Sequence, residues 1–293
     1  MLVSRCYRAP LLVACALLLN STVFAGTQKT FFQNGDLNDA NNYNPAGLPS
    51  SSDDVLLTTA VTALTLNAAT LQLDSLNVTS SASYVISNNT STSTDSTLSL
   101  LPFSAGGNSI APSGLDAIYL GAANSSLTIQ GPNAGTGTGP LMLSLNFGGN
   151  VDVAQPTGVL NISARTDVGS AASMTKTGAG VLNLSGVYFA FGGGLNINGG
   201  TTNFLAGFSN LSPTRTLLSV NNPNTGPATN VTLNVQTSVQ FRAVTGTIAA
   251  PSTGMNAATI NLLGTGTELA INPTAGPSLA SLLELSREMG VSE

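Results

Sequence analysis

Along the chain a brief alternation of apolar and polar residues keeps returning, and each stretch stops after two or three apolar positions. Leu64 and Leu66, Leu71 and Leu73, Leu76 and Val78, Leu98 and Leu100, Leu127 and Ile129, Leu160 and Ile162, Leu182 and Leu184, and Leu195 and Ile197 follow it. So do Val231, Leu233 and Val235, then Ile260 and Leu262, and Leu269 and Ile271. A period of two predicts short strands, about three to five residues each, with one face turned inward. Between them stand clusters of turn residues: Gly106-Gly107-Asn108, Gly131-Pro132-Asn133, Gly148-Gly149-Asn150, Gly199-Gly200 and residues 221–227. The strands return at irregular intervals.

Many short strands fit either a parallel solenoid, each coil stacked on the last, or an antiparallel β-sandwich of hairpins. The inward residues favour the first, because Leu, Ile and Val dominate them and the chain has ten Phe, five Tyr and no Trp to organise a sandwich core. The expected fold is therefore all-β, a right-handed parallel β-solenoid, with the antiparallel sandwich as the alternative. Asn161, Asn183, Asn196, Asn198 and Asn234 lie next to inward positions. An asparagine tolerates left-handed backbone and its amide can bond the copy above, so these five are expected in stacked turns.

The two ends read differently. Arg5 and Arg8, the apolar run from Leu11 to Leu19, and Val23-Phe24-Ala25 predict a secretory signal peptide over residues 1–25 with cleavage after Ala25. Leu12-Val13-Ala14-Cys15 offers a lipobox-like alternative, with lipidation at Cys15. Cys6 and Cys15 are the two cysteines, so the mature chain has none and disulfides contribute nothing to it. Residues 26–60 are expected to cap the first coil, residues 61–277 to form the solenoid, and residues 278–293 to form a short helix and tail. Ser278 and Gly290 suit the ends of that helix, and Leu279, Leu282 and Leu283 share a face suited to covering the last coil.

Composition then narrows the chemistry. Charged residues make up 7% of the chain, against roughly 25% in an average domain. Polarity is carried instead by Asn, Thr, Ser and Gly, which stack on identical neighbours without repulsion. With Arg5 and Arg8 in the leader, six of the eight basic residues face thirteen acidic ones, a formal charge of −7 for the mature chain. Nucleic acid is excluded as a partner on that balance. Histidine is absent, which removes His-dependent triads, zinc sites and general bases.

The stretch Lys176-Thr177-Gly178-Ala179-Gly180-Val181-Leu182-Asn183-Leu184-Ser185-Gly186, followed by Gly192-Gly193-Gly194-Leu195-Asn196-Ile197-Asn198-Gly199-Gly200-Thr201, resembles the autotransporter-associated β-strand repeat. That family pairs a KxGxGxLxLxG half with a GGxxxxxGxL half, and the one copy here, about residues 174–204, departs from it at Thr201-Thr202-Asn203-Phe204. Near the mature N-terminus, Phe32-Gln33-Asn34-Gly35, Asn41-Asn42-Tyr43, Gly47-Leu48-Pro49 and Asp53-Asp54 resemble the W-x-N-W-x-G-x-P-x-x-x-D module that often opens such proteins. Phe32 and Tyr43 stand where the module has tryptophans. The resemblance implies a passenger-type extracellular β-helix, secreted or held at the outer cell surface. The translocating barrel of an autotransporter does not follow before Glu293.

Candidate sites are few. Ser173-Met174-Thr175-Lys176 and Lys176-Thr177-Gly178 match two strings of penicillin-recognising serine enzymes, but one lysine serves both inside a Gly-rich strand region. Asp152, Arg165 and Asp167 are the nearest approach to a polysaccharide-cleaving cluster, with isolated turn charges as the bland alternative. Gly148 to Val153 only faintly matches a calcium-binding nonapeptide, since Val151 occupies the required glycine and no second copy follows. Six Asn-x-Ser/Thr sequons, at Asn77, Asn89, Asn124, Asn161, Asn183 and Asn230, arise from composition. No catalytic, cofactor-binding or metal-binding residue and no cofactor is assigned. The expected function is a structural or adhesive solenoid that meets extracellular glycans or other cell-surface material, without catalysis. A polysaccharide hydrolase or lyase, and a spacer displaying another domain, are the alternatives.

Overall fold

The computed structural model describes residues 26–58, 62–67, 69–88, 95–101, 108–131, 141–145, 148–169, 172–186, 189–206, 217–220, 231–236, 239–241, 243–245, 258–263 and 269–271. The expected signal peptide, residues 1–25, and the expected terminal helix, residues 278–293, lie outside them.

The strands are short, as the alternation predicts. The first three are β1 (Gln28–Phe31), β2 (Gly35–Asp36) and β3 (Tyr43–Asn44). Six coils follow: β4 (Asp54–Leu57), β5 (Ala63–Thr65), β6 (Thr70–Leu73); β7 (Ser75–Val78), β8 (Ser83–Ser87), β9 (Ser96–Leu100); β10 (Asp116–Leu120), β11 (Ser126–Gln130), β12 (Leu141–Leu145); β13 (Gly149–Val153), β14 (Val159–Ile162), β15 (Arg165–Val168); β16 (Ser173–Thr177), β17 (Val181–Leu184), β18 (Phe189–Phe191); β19 (Gly194–Ile197), β20 (Gly200–Phe204). The last strands are β21 (Leu217–Val220), β22 (Val231–Val235), β23 (Val239–Phe241), β24 (Ala243–Thr245), β25 (Ala258–Leu262) and β26 (Leu269–Ile271).

Hydrogen bonding sorts them into three long ladders. The first sheet runs β3-β1-β4-β7-β10-β13-β16-β19-β21-β24, the second β2-β5-β8-β11-β14-β17-β20-β22-β25, and the third β6-β9-β12-β15-β18, with β23 and β26 forming a further pair. Apart from β3, neighbours in a ladder are three strands apart in sequence through β20, so each of the five coils from β4 to β18 gives one rung to each sheet. Among the described residues every pairing is parallel except β1 with β3. This is a parallel β-solenoid, and the antiparallel sandwich is ruled out.

In-register stacking places each inward residue on its counterpart one rung away, about 4.8 Å distant. One row of the first sheet reads Val55, Leu76, Ile118, Val151, Lys176, Ile197, Val220. In the second sheet two rows run side by side: Leu64, Ile86, Ile129, Ile162, Leu184, Phe204, Val235 and Tyr84, Leu127, Leu160, Leu182, Thr202, Leu233. Leu71, Leu98, Leu143 and Thr166 form a row of the third. All are buried, each large aliphatic worth about 1.5–3 kcal/mol of transfer free energy.

The first coil is closed by a cap. β3 pairs antiparallel on the free edge of β1, so the outermost rung is only two residues long and does not extend the parallel ladder. The Phe31 and Tyr43 rings meet edge to face with centroids 5.0 Å apart, and Tyr43 Oη donates to Leu37 O at 2.7 Å. The aromatic partner of Tyr43 is therefore Phe31. Phe32, aligned with the module's tryptophan in the sequence, is 42% exposed, because neighbours along a strand point to opposite sides.

Thr202 breaks its aliphatic row. It stacks between Leu182 and Leu233, is fully buried, and its Oγ1 has no hydrogen-bond partner. Thr202→Val keeps the shape and removes the unsatisfied hydroxyl, so it should stabilise the fold by about 1 kcal/mol. Leu160→Ala in the same row should destabilise it by about 3 kcal/mol. Urea unfolding of the two variants beside the parent checks both signs.

Candidate functional site

Among the described residues a dense polar network lies on the outer face of the first sheet, and one long excursion of the chain builds it. From Asp54 to Ser75 a coil takes 21 residues, whereas the next rung of the sheet begins only at Asp116. Part of the intervening segment returns across the sheet. Asn108 Nδ2 donates to Asn77 Oδ1 at 2.7 Å and to Asp116 O at 2.9 Å, while Asn108 Oδ1 accepts from the backbone of Ile110 and Ala111. Ser109 donates to Asp54 Oδ2 through both its backbone N–H, at 2.9 Å, and its hydroxyl. Ser75 Oγ donates to Asp54 Oδ1 at 2.5 Å. Outward positions that would otherwise meet water, Asp54, Ser75 and Asn77, are thereby buried.

At the border of this covered region the register shifts. Asp116 pairs with Asn150 but Ile118 with Val151, which leaves Ala117 as an extra residue. Strict alternation would send residues 116 and 119 to opposite faces; the bulge turns both outward. Tyr119 then lies in a column with Asn77 on one side and Asp152 and Thr177 on the other. A Cβ at Gly121 would fall within 2.7 Å of Tyr119 Cε1 and Cζ, so the ring lies along the face over a residue with no side chain.

Three carboxyls here are displaced upward. Burial, reinforced by the charge of Asp54, raises Asp74 to about 6. Burial raises Asp116, partly offset by hydrogen bonds from Ser113 and Asn150. Asp152 is raised by burial and by Asp116, against the pull of Lys176 and Thr177. Tyr119 is raised by burial, then by Asp152 and Asp116. Asp74, Asp116 and Asp152 each keep Oδ1 buried without a hydrogen-bond partner.

Lys176 is not part of this surface. It occupies the inward row between Val151 and Ile197, fully buried, and its ammonium donates to Thr177 O at 2.5 Å, Gly178 O at 3.0 Å and Gly199 O at 3.2 Å. Burial lowers its pKa to about 7, with Asp152 opposing. The lysine and glycines of the repeat-like stretch thus make a stacked corner. Gly200 has φ +60°, and a Cβ there would stand 2.3 Å from Gly180 O, so only glycine lets these two corners touch. Lys29, the chain's other lysine, does similar work in the cap, reaching Pro45 O at 3.3 Å and Gly47 O at 3.2 Å.

The sequence cluster of Asp152, Arg165 and Asp167 does not assemble. β13 belongs to the first sheet and β15 to the third, so the two aspartates sit on different faces of one coil, and Arg165 pairs across from Met142. The structure brings Asp152 together with Asp116 and Tyr119 instead, which lie 36 and 33 positions earlier in the chain. Gly149–Val153 is β13 itself, an interior strand of the first sheet, and among the described residues no group of three potential acidic, His or Cys ligands converges on a metal position. Ser173 starts a strand, with its lysine committed to carbonyls as described.

The asparagines do stack, but in strands of the second sheet. Asn161 Nδ2 donates to Thr128 Oγ1 at 3.2 Å, Asn183 to Asn161 Oδ1 at 2.7 Å, Asn203 to Asn183 at 2.7 Å, Asn234 to Asn203 at 2.7 Å and Asn261 to Asn234 at 2.8 Å. Asn203 and Asn261 were not singled out by the sequence, although both follow the inward–outward alternation of Thr202 and Ile260. Asn196 instead donates to Thr175 Oγ1 on the first sheet, and Asn198 lies in the turn after β19.

No family model, curated protein or solved structure matches this chain. Among the described residues no helix is long and apolar enough to cross a membrane.

The folded state holds Asp74's proton to about pH 6, whereas an unfolded chain releases it near 4. Stability should therefore fall as pH rises from about 4 to 6, with Asp116 and Asp152 acting in the same direction. Thermal midpoints across that window should show the decline, and Asp74→Asn should flatten it. Lys176→Met strands the buried carbonyl of Gly199 and the half-buried ones of Thr177 and Gly178 and should lower stability by about 2–4 kcal/mol, read by denaturant unfolding.

Proposed function

We propose that the chain is a structural and adhesive β-solenoid of autotransporter-passenger type, secreted or displayed at the outer cell surface, that holds extracellular glycans or similar material without catalysis. The amide ladder from Asn161 to Asn261 carries this reading. Each amide spends one donor and one acceptor position on its neighbours and keeps another N–H and lone pair. The outcome is a half-exposed line of uncharged donors and acceptors at strand spacing, which suits a repetitive, hydroxyl-rich ligand met through many weak contacts.

The glycine and lysine corner at Lys176, Gly178, Gly180, Gly199 and Gly200 gives the repeat resemblance a structural rationale, and the predicted leader over residues 1–25 supports export. The polysaccharide-degrading alternative asks for paired carboxylates with a cation in one groove. Asp116 does raise Asp152, but the cation beside Asp152 is the buried, carbonyl-bound Lys176. Binding without turnover is the better account.

Full chain screened against a glycan array and a panel of soluble polysaccharides should bind at least one neutral glycan and release no reducing ends from any. Turnover of any polysaccharide refutes the non-catalytic reading, and absence of binding across the panel refutes the adhesive one.

A further inference from the structure

The shelf beside the docked loop combines three features not found together elsewhere among the described residues. The first is the half-buried tyrosine, Tyr119, whose ring lies along the sheet over Gly121. The second is a neighbouring carboxylate, Asp152, one rung away in register with that ring. The third is Asp116, 1% exposed, with Oδ2 taken by Ser113 Oγ at 2.6 Å and Oδ1 unpartnered. A buried carboxyl oxygen left unsatisfied is rare in a settled core. Here the bulge at Ala117 is what aims Asp116 and Tyr119 at the same face.

Those groups match one ligand chemistry. An aromatic ring lying along an exposed face offers an apolar platform with a polar rim, which suits the C–H face of a pyranose. Asp152 accepts hydrogen bonds from hydroxyls more strongly than a neutral acceptor would, and Asn150 and Thr177, outward and half-exposed beside it, supply a donor and a second hydroxyl. Two nearby carboxyls disfavour a uronate or a phosphate. A bound cation would need more ligands than the site has.

We propose that Tyr119, Asp152 and Asn150, positioned by Asp116 and the docked loop, form a subsite for one neutral pyranose unit of an extracellular polysaccharide. The proposal rests on the adhesive reading and gives it an address: the shelf grips one ring, and the amide ladder lies on a different sheet. Tyr119 supplies the platform, Asp152 accepts from a ring hydroxyl through Oδ2, and Asp116 accepts a hydrogen bond that holds Asn150 beside them.

The test is binding of the full chain to neutral β-glucan, xylan and mannan oligosaccharides, with polygalacturonate and chitosan as charged comparators, by calorimetry or affinity electrophoresis. Tyr119→Ala and Asp152→Asn should each weaken binding of the preferred neutral glycan about tenfold or more. Tyr119→Phe, which keeps the ring, should stay within about threefold, and Asp167→Asn on the third sheet should leave the affinity unchanged. Thermal unfolding of each variant shows that the fold is kept. If the parent binds a neutral glycan with Tyr119→Ala and Asp152→Asn at full strength, the subsite is overturned while the adhesive reading stands. Loss confined to Asn203→Ala/Asn234→Ala in the amide ladder, with Tyr119→Ala and Asp152→Asn at full strength, overturns it equally. Binding only to chitosan, abolished by salt, overturns it in favour of bulk charge attraction. A parent that binds no glycan overturns both.

Discussion

Parallel, in-register stacking is the constraint on which the molecule depends. When each coil lies on the one before it with matching register, every side chain meets its counterpart about 4.8 Å away along a row. A row is therefore stable only if its members tolerate their own kind. Aliphatic rows satisfy this by burial, and asparagine rows by amide-to-amide hydrogen bonds. Rows of like charge cannot satisfy it, which gives a physical reason for a charged content of 7%. The same requirement reaches the corners, where Gly199 and Gly200 lie directly against the backbone of Gly178 and Gly180.

Where the rule is broken, the chain supplies a local remedy. Lys176 stands in an aliphatic row, and its stem serves as a hydrophobic member of it while three turn carbonyls take the ammonium. Asp54 would face a polar column at the second coil, and Ser75 and the backbone and hydroxyl of Ser109 surround it. Thr202 has no such remedy, since its hydroxyl lies between two leucines with nothing to bond.

This division explains what the sequence alone could show. Inward pairs such as Leu127 and Ile129 or Leu182 and Leu184 were legible because alternation is local, and these four are buried as read, whereas Leu262, read the same way at the last described coils, is 39% exposed. The corner was legible because glycine at tight stacking has few substitutes. What stayed hidden depends on register between coils of unequal length. The pairing of Asp116 and Tyr119 with Asp152 needs both the bulge at Ala117 and the long excursion before β10, and neither leaves a pattern in the chain. Asp167 drew attention by its nearness to Asp152 in sequence, yet a three-sided coil turns a corner between them. Phe31 and Phe32 could not be told apart by composition, since adjacent strand residues differ only in the side they face.

The remedies are not spread evenly. Acidic exceptions gather on the first sheet between β4 and β13, where a docked segment shelters them, while the neutral ladder occupies the second sheet from β11 to β25. An unbroken row has translational sameness, so any rung offers a ligand what the next one offers, and it contributes many equal weak contacts. A broken row is different from its neighbours at one place only. It alone can fix where along a repetitive polymer the protein sits, because a position can be distinguished only by something that does not repeat. In a solenoid the departures from stacking are thus the natural locations for specificity. Among the described residues one such departure is the bulged rung that carries Asp116 and Tyr119 beside Asp152.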